Sequence, residues 1–187
     1  EIETRLKAQV KTLMGDTPIN LNSPEQVSQV IYSRILHDKR QWAVAFDYVE
    51  DKEEFKQTVK DNSSMMVKTK ASVCQACKGK GKVFKKKKDG TPFAKPNRCV
   101  ACDTRGYKLT KLKQMAGLGF FPPSKAWVSA NGFSTSKGNL DQLINIAKAK
   151  DMGEAESFLS DLKRQSAVSS YLSAFVEGIH HYTKEDG

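Results

Sequence analysis

All four cysteines of this chain fall in one stretch, as two C-x-x-C pairs: Cys74/Cys77 and Cys99/Cys102, with residues 78–98 between them. Two residues between cysteines let one tight turn aim both sulfurs at a single point. Two such turns, brought together by a hairpin, set four thiolates in a tetrahedron, the arrangement that a structural zinc ion prefers. The separation of the pairs suits a four-cysteine site. Val83-Phe84 and Phe93 flank Asp89-Gly90, a strong turn dipeptide. The expected local structure is a small zinc-ribbon-like β-hairpin with a metal knuckle at its base. Two disulfides and four free thiols are the alternatives. The chain as it stands opens without a signal peptide, and the lysine-rich surroundings suit a cytoplasmic protein, where disulfides are rare. The expectation is therefore Zn2+ in a structural role, since four thiolates leave no open position for catalysis.

Gly79, Gly81 and Gly106 follow the second cysteine of each pair. A knuckle turns its backbone amides toward the sulfurs, and positive φ angles help it do so, which favours glycine. The first knuckle, C-x-x-C-x-G-x-G, resembles one repeat of the DnaJ-type chaperone zinc domain over about eight residues. The second carries Thr104 where the first has Gly79.

Charge is concentrated in the same region. Between Ala71 and Lys113 stand thirteen Lys and Arg residues, among them Lys85, Lys86, Lys87 and Lys88, against Asp89 and Asp103. The chain carries +10 overall, so its remainder is close to neutral. Four thiolates and one zinc ion would lower the local charge by two and leave a basic patch. Such a patch is the electrostatic footprint of a nucleic-acid binder. A solubilising loop, or a surface for an acidic partner protein, is the blander reading.

Outside this region the pattern is helical. Ile2, Leu6, Val10 and Leu13 recur at helical spacing up to Gly15. Ser23 is a natural N-cap, Pro24 suits the first helical position, and Gln26 is placed for a capping box. Val27, Val30, Ile31 and Ile35 share a face of the helix that follows. Trp42 to Val49 reads as β-prone and aromatic, and Lys52 to Val59 as helical. Gly117 to Pro123 breaks the pattern, with Leu118, Phe120, Phe121 and Trp127 expected to face a core. No internal repeat is visible. No apolar run approaches the ~20 residues of a membrane span.

Three stretches, in order, resemble elements of the DNA polymerase I family, the A-family polymerases. Ile19 to Tyr32 (INLNSPEQVSQVIY) is similar to the element that opens a helix of the thumb subdomain. Asn131 to Ser136 (NGFSTS), followed by Leu140 and Leu143, resembles the glycine-x-x-serine-threonine-serine element. Phe158 to Ile179 resembles the long helix ending in serine-threonine-tyrosine, here Ser169-Ser170-Tyr171, with His180 to Gly187 where the family has a short loop. The resemblance implies a division into 1–37 and 127–187 as thumb helices and 38–126 as an insertion, with the zinc module at about 71–113. The expected fold class is mainly α, an antiparallel helical thumb arm carrying an inserted zinc-ribbon-like β-hairpin. The chain opens on Glu1 and stops at Gly187, which reads as a piece of a longer protein.

By resemblance, the thumb grips primer–template duplex and holds no catalytic carboxylate. The fragment is then not an enzyme, although its parent would be a DNA-directed DNA polymerase, of phage type and active in the bacterial cytoplasm. The implied DNA contacts are Asn20, Asn22, Ser23 and Gln26 at one helix start and Ser134, Thr135 and Ser136 at another, where small polar side chains and helix amides meet phosphates. Ser23, and Ser134 or Thr135, would serve equally as simple helix caps. The family places basic residues in the long helix at positions that are here Leu162, Ser166 and Val168. Lys163 and Arg164 lie beside them, and the lysines of the zinc hairpin could supply the missing charge. The alternative is that the insertion docks a processivity or replisome protein; a third reading gives it a single-stranded template or RNA. The fragment is expected to be a monomer with no membrane contact. His37 reads as a surface residue, and His180-His181 are not needed by a site that four cysteines complete.

Overall fold

The computed structural model describes residues 1–33, 66–129 and 132–185. His37, the β-prone stretch Trp42 to Val49 and the helical stretch Lys52 to Val59 lie outside the described residues. The described chain forms α1 (Ile2–Met14), α2 (Pro24–Tyr32), β1 (Val67–Val73), β2 (Lys82–Val83), β3 (Asn97–Arg98), β4 (Tyr107–Met115), β5 (Val128–Ser129), β6 (Gly132–Phe133), α3 (Lys137–Ala149) and α4 (Gly153–Glu185). Helix accounts for 46% and strand for 18%, so this is a mixed α/β domain and the expectation of a mainly α fold is corrected. The difference arises in the stretch from Val67 to Met115. Instead of a lone hairpin it contains a long antiparallel ladder, β1 on β4, with the short β2–β3 pair nested inside it.

The helical arm forms as its apolar spacing dictates. Leu6, Val10 and Met14 of α1 are buried, and the helix stops at Gly15 with φ 69°. A Cβ at Gly15 would sit 2.3 Å from the Thr69 carbonyl oxygen, so the residue is needed both for its backbone angle and for its lack of a side chain. Leu140, Leu143 and Ala147 of α3 pack with Phe158, Leu159 and Leu162 of α4 in a core shared with α1 and α2. Arg5 and Asp161 tie α1 to α4 through a two-pronged ion pair, with the carboxylate buried and the guanidinium half open to solvent. The ion pair raises the Arg5 pKa, first through the hydrogen bonds and then through the charge of Asp161.

Residues on either side of the β1–β4 ladder meet the helices at the C-terminal end of α2. Ser33 takes a left-handed conformation there, its carbonyl accepts from the Met66 amide, and Met66 accepts in turn from Ala116. The following Gly117-Leu-Gly-Phe segment satisfies carbonyls that the helix end leaves unpaired. Leu118 donates to Val30, Phe120 donates to Ile31, and Gly119 donates to the Ser33 hydroxyl. A Cβ on Gly117 would meet the Val30 oxygen at 2.5 Å. Phe120 and Trp127 are buried and Leu118 and Phe121 half-buried against the same core, as expected from the sequence. On the other side, the ladder leans on the loop after α1. The Asp16 carboxylate accepts from the Ala71 amide, and Thr17 and Thr69 share a hydroxyl hydrogen bond.

The long helix runs further than expected. The sequence places a loop from His180 onward, whereas α4 continues as helix to Glu185, there being no glycine or proline between residues 180 and 185 to stop it. At 1.5 Å per residue α4 spans about 50 Å against about 20 Å for α3. Its outer half therefore overhangs, and Val168, Tyr171, Leu172 and Phe175 are exposed.

Candidate metal centre and nucleic-acid interface

The two knuckles are built alike, and each completes the other. Both have the pattern C-x-x-C-x-x-x-G, over residues 74–81 and 99–106. This is a short internal repeat, contrary to the expectation of none; the interrupted glycine pattern at Thr104 hides it. The backbone angles repeat position by position: φ is 50° and 48° at Lys78 and Asp103, 85° and 64° at Gly79 and Thr104, and 68° and 79° at Gly81 and Gly106. Gly81 donates its amide to the Cys77 sulfur and Gly106 to the Cys102 sulfur, each at 3.3 Å. Across the pair, the Cys74 amide donates to the Gly106 carbonyl and the Cys99 amide to the Gly81 carbonyl. The approach is so close that a Cβ at Gly81 would lie 2.1 Å from the Thr104 oxygen, and one at Gly106 would lie 2.3 Å from the Gly79 oxygen. β1 and β4 hold this pseudo-symmetric unit in register, because Val73 and Tyr107 pair directly beneath Cys74 and Gly106.

The result is a cluster of four buried, unbridged sulfurs whose ligand atoms all lie within 4.8 Å of one another. Cys74 and Cys99 sulfurs are 3.9 Å apart, and Cys77 and Cys102 sulfurs 3.7 Å. A tetrahedron with metal–sulfur bonds of about 2.3 Å has edges of about 3.8 Å, so the cluster can hold a metal ion without rearrangement. Charge makes the same demand. Burial alone would raise the Cys74 thiol, but hydrogen bonds from the Cys77 and Ala76 amides and from neighbouring thiols bring it down to about 7. Cys102 is pushed up to about 12, by burial and by the surrounding sulfurs, against the pull of the Gly106 amide. Four sulfurs this close ionise together only beside a cation. Among the described residues, Val83 is the one partly buried hydrophobic that packs against the cluster.

The polar residues proposed for DNA contact divide into separate places. Asn22 and Thr135 meet Ser169 and Ser170 across a cleft of about 330 Å3, whose floor includes Leu21, Val27, Leu140 and Leu162. Three stretches far apart in sequence therefore line one groove. The other residues of the two helix starts are engaged locally. Ser23 caps α2 by accepting from the Gln26 amide at 3.5 Å. The Gln26 side chain does not close the usual capping box; it reaches further back and accepts from the Asn20 amide at 2.6 Å. The Asn20 side chain accepts from the Asn22 amide. At the second start Ser136 occupies the N-cap, not Ser134 or Thr135, and makes no side-chain cap bond. The Ser134 hydroxyl accepts from the Ser136 amide, while the Ser134 carbonyl accepts from the buried Tyr32 hydroxyl.

Lys163 and Arg164 do not enter that cleft. They line a different groove between α3 and α4 with Lys137, Asn145 and Lys148, where Lys163 is paired with Asp141. Lys85 to Lys88 stand on the hairpin beyond the metal cluster, in a run from residue 84 to residue 98 that is exposed throughout. Among the described residues, no helix is long and apolar enough to cross a membrane. Comparison with protein-family models, with curated proteins and with solved structures gives no match to this chain.

Proposed function

We propose that the chain is a duplex-gripping arm of the A-family polymerase thumb type, with a zinc-stabilised basic module inserted at the end of its second helix. The observation that carries this reading is the cleft. Each of the three stretches that resemble thumb elements contributes to it: Asn22 from the first, Thr135 from the second, and Ser169 and Ser170 from the third. Small polar groups beside helix starts are suited to phosphates, because they add hydrogen bonds without excluding the backbone amides behind them. The fragment holds and does not polymerise; the chemistry belongs to the palm of a longer parent enzyme.

Zinc is the metal proposed for the cysteine cluster. A tetrahedral set of four thiolates selects zinc or iron among common ions. Cys74, Cys77, Cys99 and Cys102 would hold it, and the ion would fix the two knuckles against each other. Elemental analysis of the purified chain is expected to give one zinc per chain. For the grip, a triple change of Asn22, Thr135 and Ser169 to Ala should weaken binding to a blunt DNA duplex at least about tenfold, at roughly 0.5 to 1.5 kcal/mol for each hydrogen bond removed. Unchanged duplex affinity, with the fold intact by circular dichroism, would remove the cleft from the reading.

A further inference from the structure

The hairpin beyond the metal cluster carries a pattern that neither the metal nor the cleft uses. β2 and β3 pair Lys82 with Arg98 and Val83 with Asn97. Outward from there the strands stay in contact: Phe93 donates its amide to Lys85, Lys87 donates to Thr91, and Asp89 closes the tip by accepting from the Thr91 amide and hydroxyl. This is a hydrogen-bonded finger, although among the described residues no apolar core lies beneath it. Two of its large side chains are phenylalanines left in water, Phe84 at 56% and Phe93 at 47% exposed. They flank the run Lys85 to Lys88, and the Lys87 ammonium lies 6.0 Å from the centre of the Phe93 ring.

Two exposed rings at the ends of a segment holding four lysines make a surface suited to an occupant with both apolar faces and negative charge. A flat apolar protein surface is a poor one, because docking it would strip water from the lysines set between the rings. Duplex DNA keeps its bases stacked on one another and presents mainly phosphate. A single strand fits both features: it carries free flat bases and phosphates together, as the finger carries two exposed rings and a run of four lysines. We infer that the β2–β3 finger is a binding site for single-stranded nucleic acid, in which Phe84 and Phe93 stack on unpaired bases and Lys85 to Lys88 hold the adjoining phosphates. This site is separate from the duplex cleft, and it stands whether or not the polymerase reading does.

The test uses the zinc-loaded full chain with a fluorescein-labelled oligo-dT of roughly a dozen nucleotides and, separately, a blunt duplex, both read by anisotropy. Changing Phe84 and Phe93 together to Ala is expected to weaken oligo-dT binding at least about tenfold, with the salt slope and the duplex affinity unchanged. The pair Phe84→Leu and Phe93→Leu keeps apolar bulk and removes the aromatic face, so it should bind as weakly as the Ala pair. Changing Lys85 to Lys88 to Ala should instead reduce the salt slope by about 0.7 for each phosphate no longer neutralised. Zinc content equal to that of the unaltered chain certifies the fold of every variant. Strand binding that survives the Ala pair, strand binding restored by the Leu pair, or equal losses on strand and duplex would each overturn the inference.

Discussion

The helical part and the four-cysteine module differ in what lies at their centres. The arm has a continuous apolar core, with Leu6, Met14, Ile31, Leu143, Phe158 and Leu159 all sealed from solvent. The module has four sulfurs, one half-buried valine and reciprocal backbone hydrogen bonds between its knuckles. Burial at about 25 cal/mol per Å2 can hold the arm; the module has no comparable area to bury. A domain this small without a core requires a metal or a cross-link. One chain thus contains a helical part with an apolar core and a part centred on four sulfurs that could hold a metal ion, meeting at the carbonyls that end α2.

The largest effect should come from the metal. Structural zinc supplies about 10–16 kcal/mol in small metal-folded units. Chelation, or Cys99→Ser, is therefore expected to unfold the module while α1 to α4 keep their helical circular dichroism. Loss of the helical signal together with the metal would mean that the two parts are not independent.

Next in size is the converse experiment. Phe158→Ala empties a fully buried site and should cost about 3–5 kcal/mol of arm stability by urea unfolding. Zinc affinity should not change. A matching fall in metal affinity would couple the parts.

A smaller effect sharpens the picture of the knuckles. Gly81→Ala places a methyl group against the Thr104 carbonyl in a backbone conformation that L residues avoid, and should cost more than about 1 kcal/mol, read as weaker zinc affinity. Gly90→Ala, at the finger tip with nothing within 4 Å, tests backbone angle without crowding and should cost less.

The smallest is a pH effect confined to the arm. Burial raises the Tyr32 phenol above its ordinary value of 10. The neutral phenol, donating to the Ser134 carbonyl, is favoured by the folded state. Its contribution is therefore fully present below pH 10 and is lost as pH rises above it, where the unfolded chain ionises first. Urea midpoints should fall between about pH 9 and about pH 11, and Tyr32→Phe should flatten that fall at a cost of about 1 kcal/mol at neutral pH.

What the sequence revealed follows the same division. The four-cysteine cluster was legible because C-x-x-C is a local instruction: the turn that presents two sulfurs is written within four residues. The first two helices were legible from spacing, with Gly15 ending one and Ser23 opening the next, and the last two from the resemblance. The β1–β4 ladder was not. Its partners, Val67 to Val73 and Tyr107 to Met115, are far apart in the chain, rich in lysine and mostly exposed, so little hydrophobic alternation marks them. The mainly α expectation failed there. The destination of the Gln26 side chain was hidden for a related reason, since the choice between the Ser23 and Asn20 amides depends on how the preceding turn folds. The cleft depends on three segments meeting; the resemblance pointed to Asn22 and Thr135 separately and gave Ser169 and Ser170 no contact role.

The central claim is that the arm grips duplex DNA through phosphates. It is tested most directly by titrating a blunt duplex with the zinc-loaded chain across a salt series. A log K that falls steeply with log salt, at about −0.9 for each phosphate neutralised, is the expected result, with the Asn22, Thr135 and Ser169 triple variant weaker at every salt concentration. A weak, salt-insensitive affinity shared by the intact chain and the triple variant would contradict it.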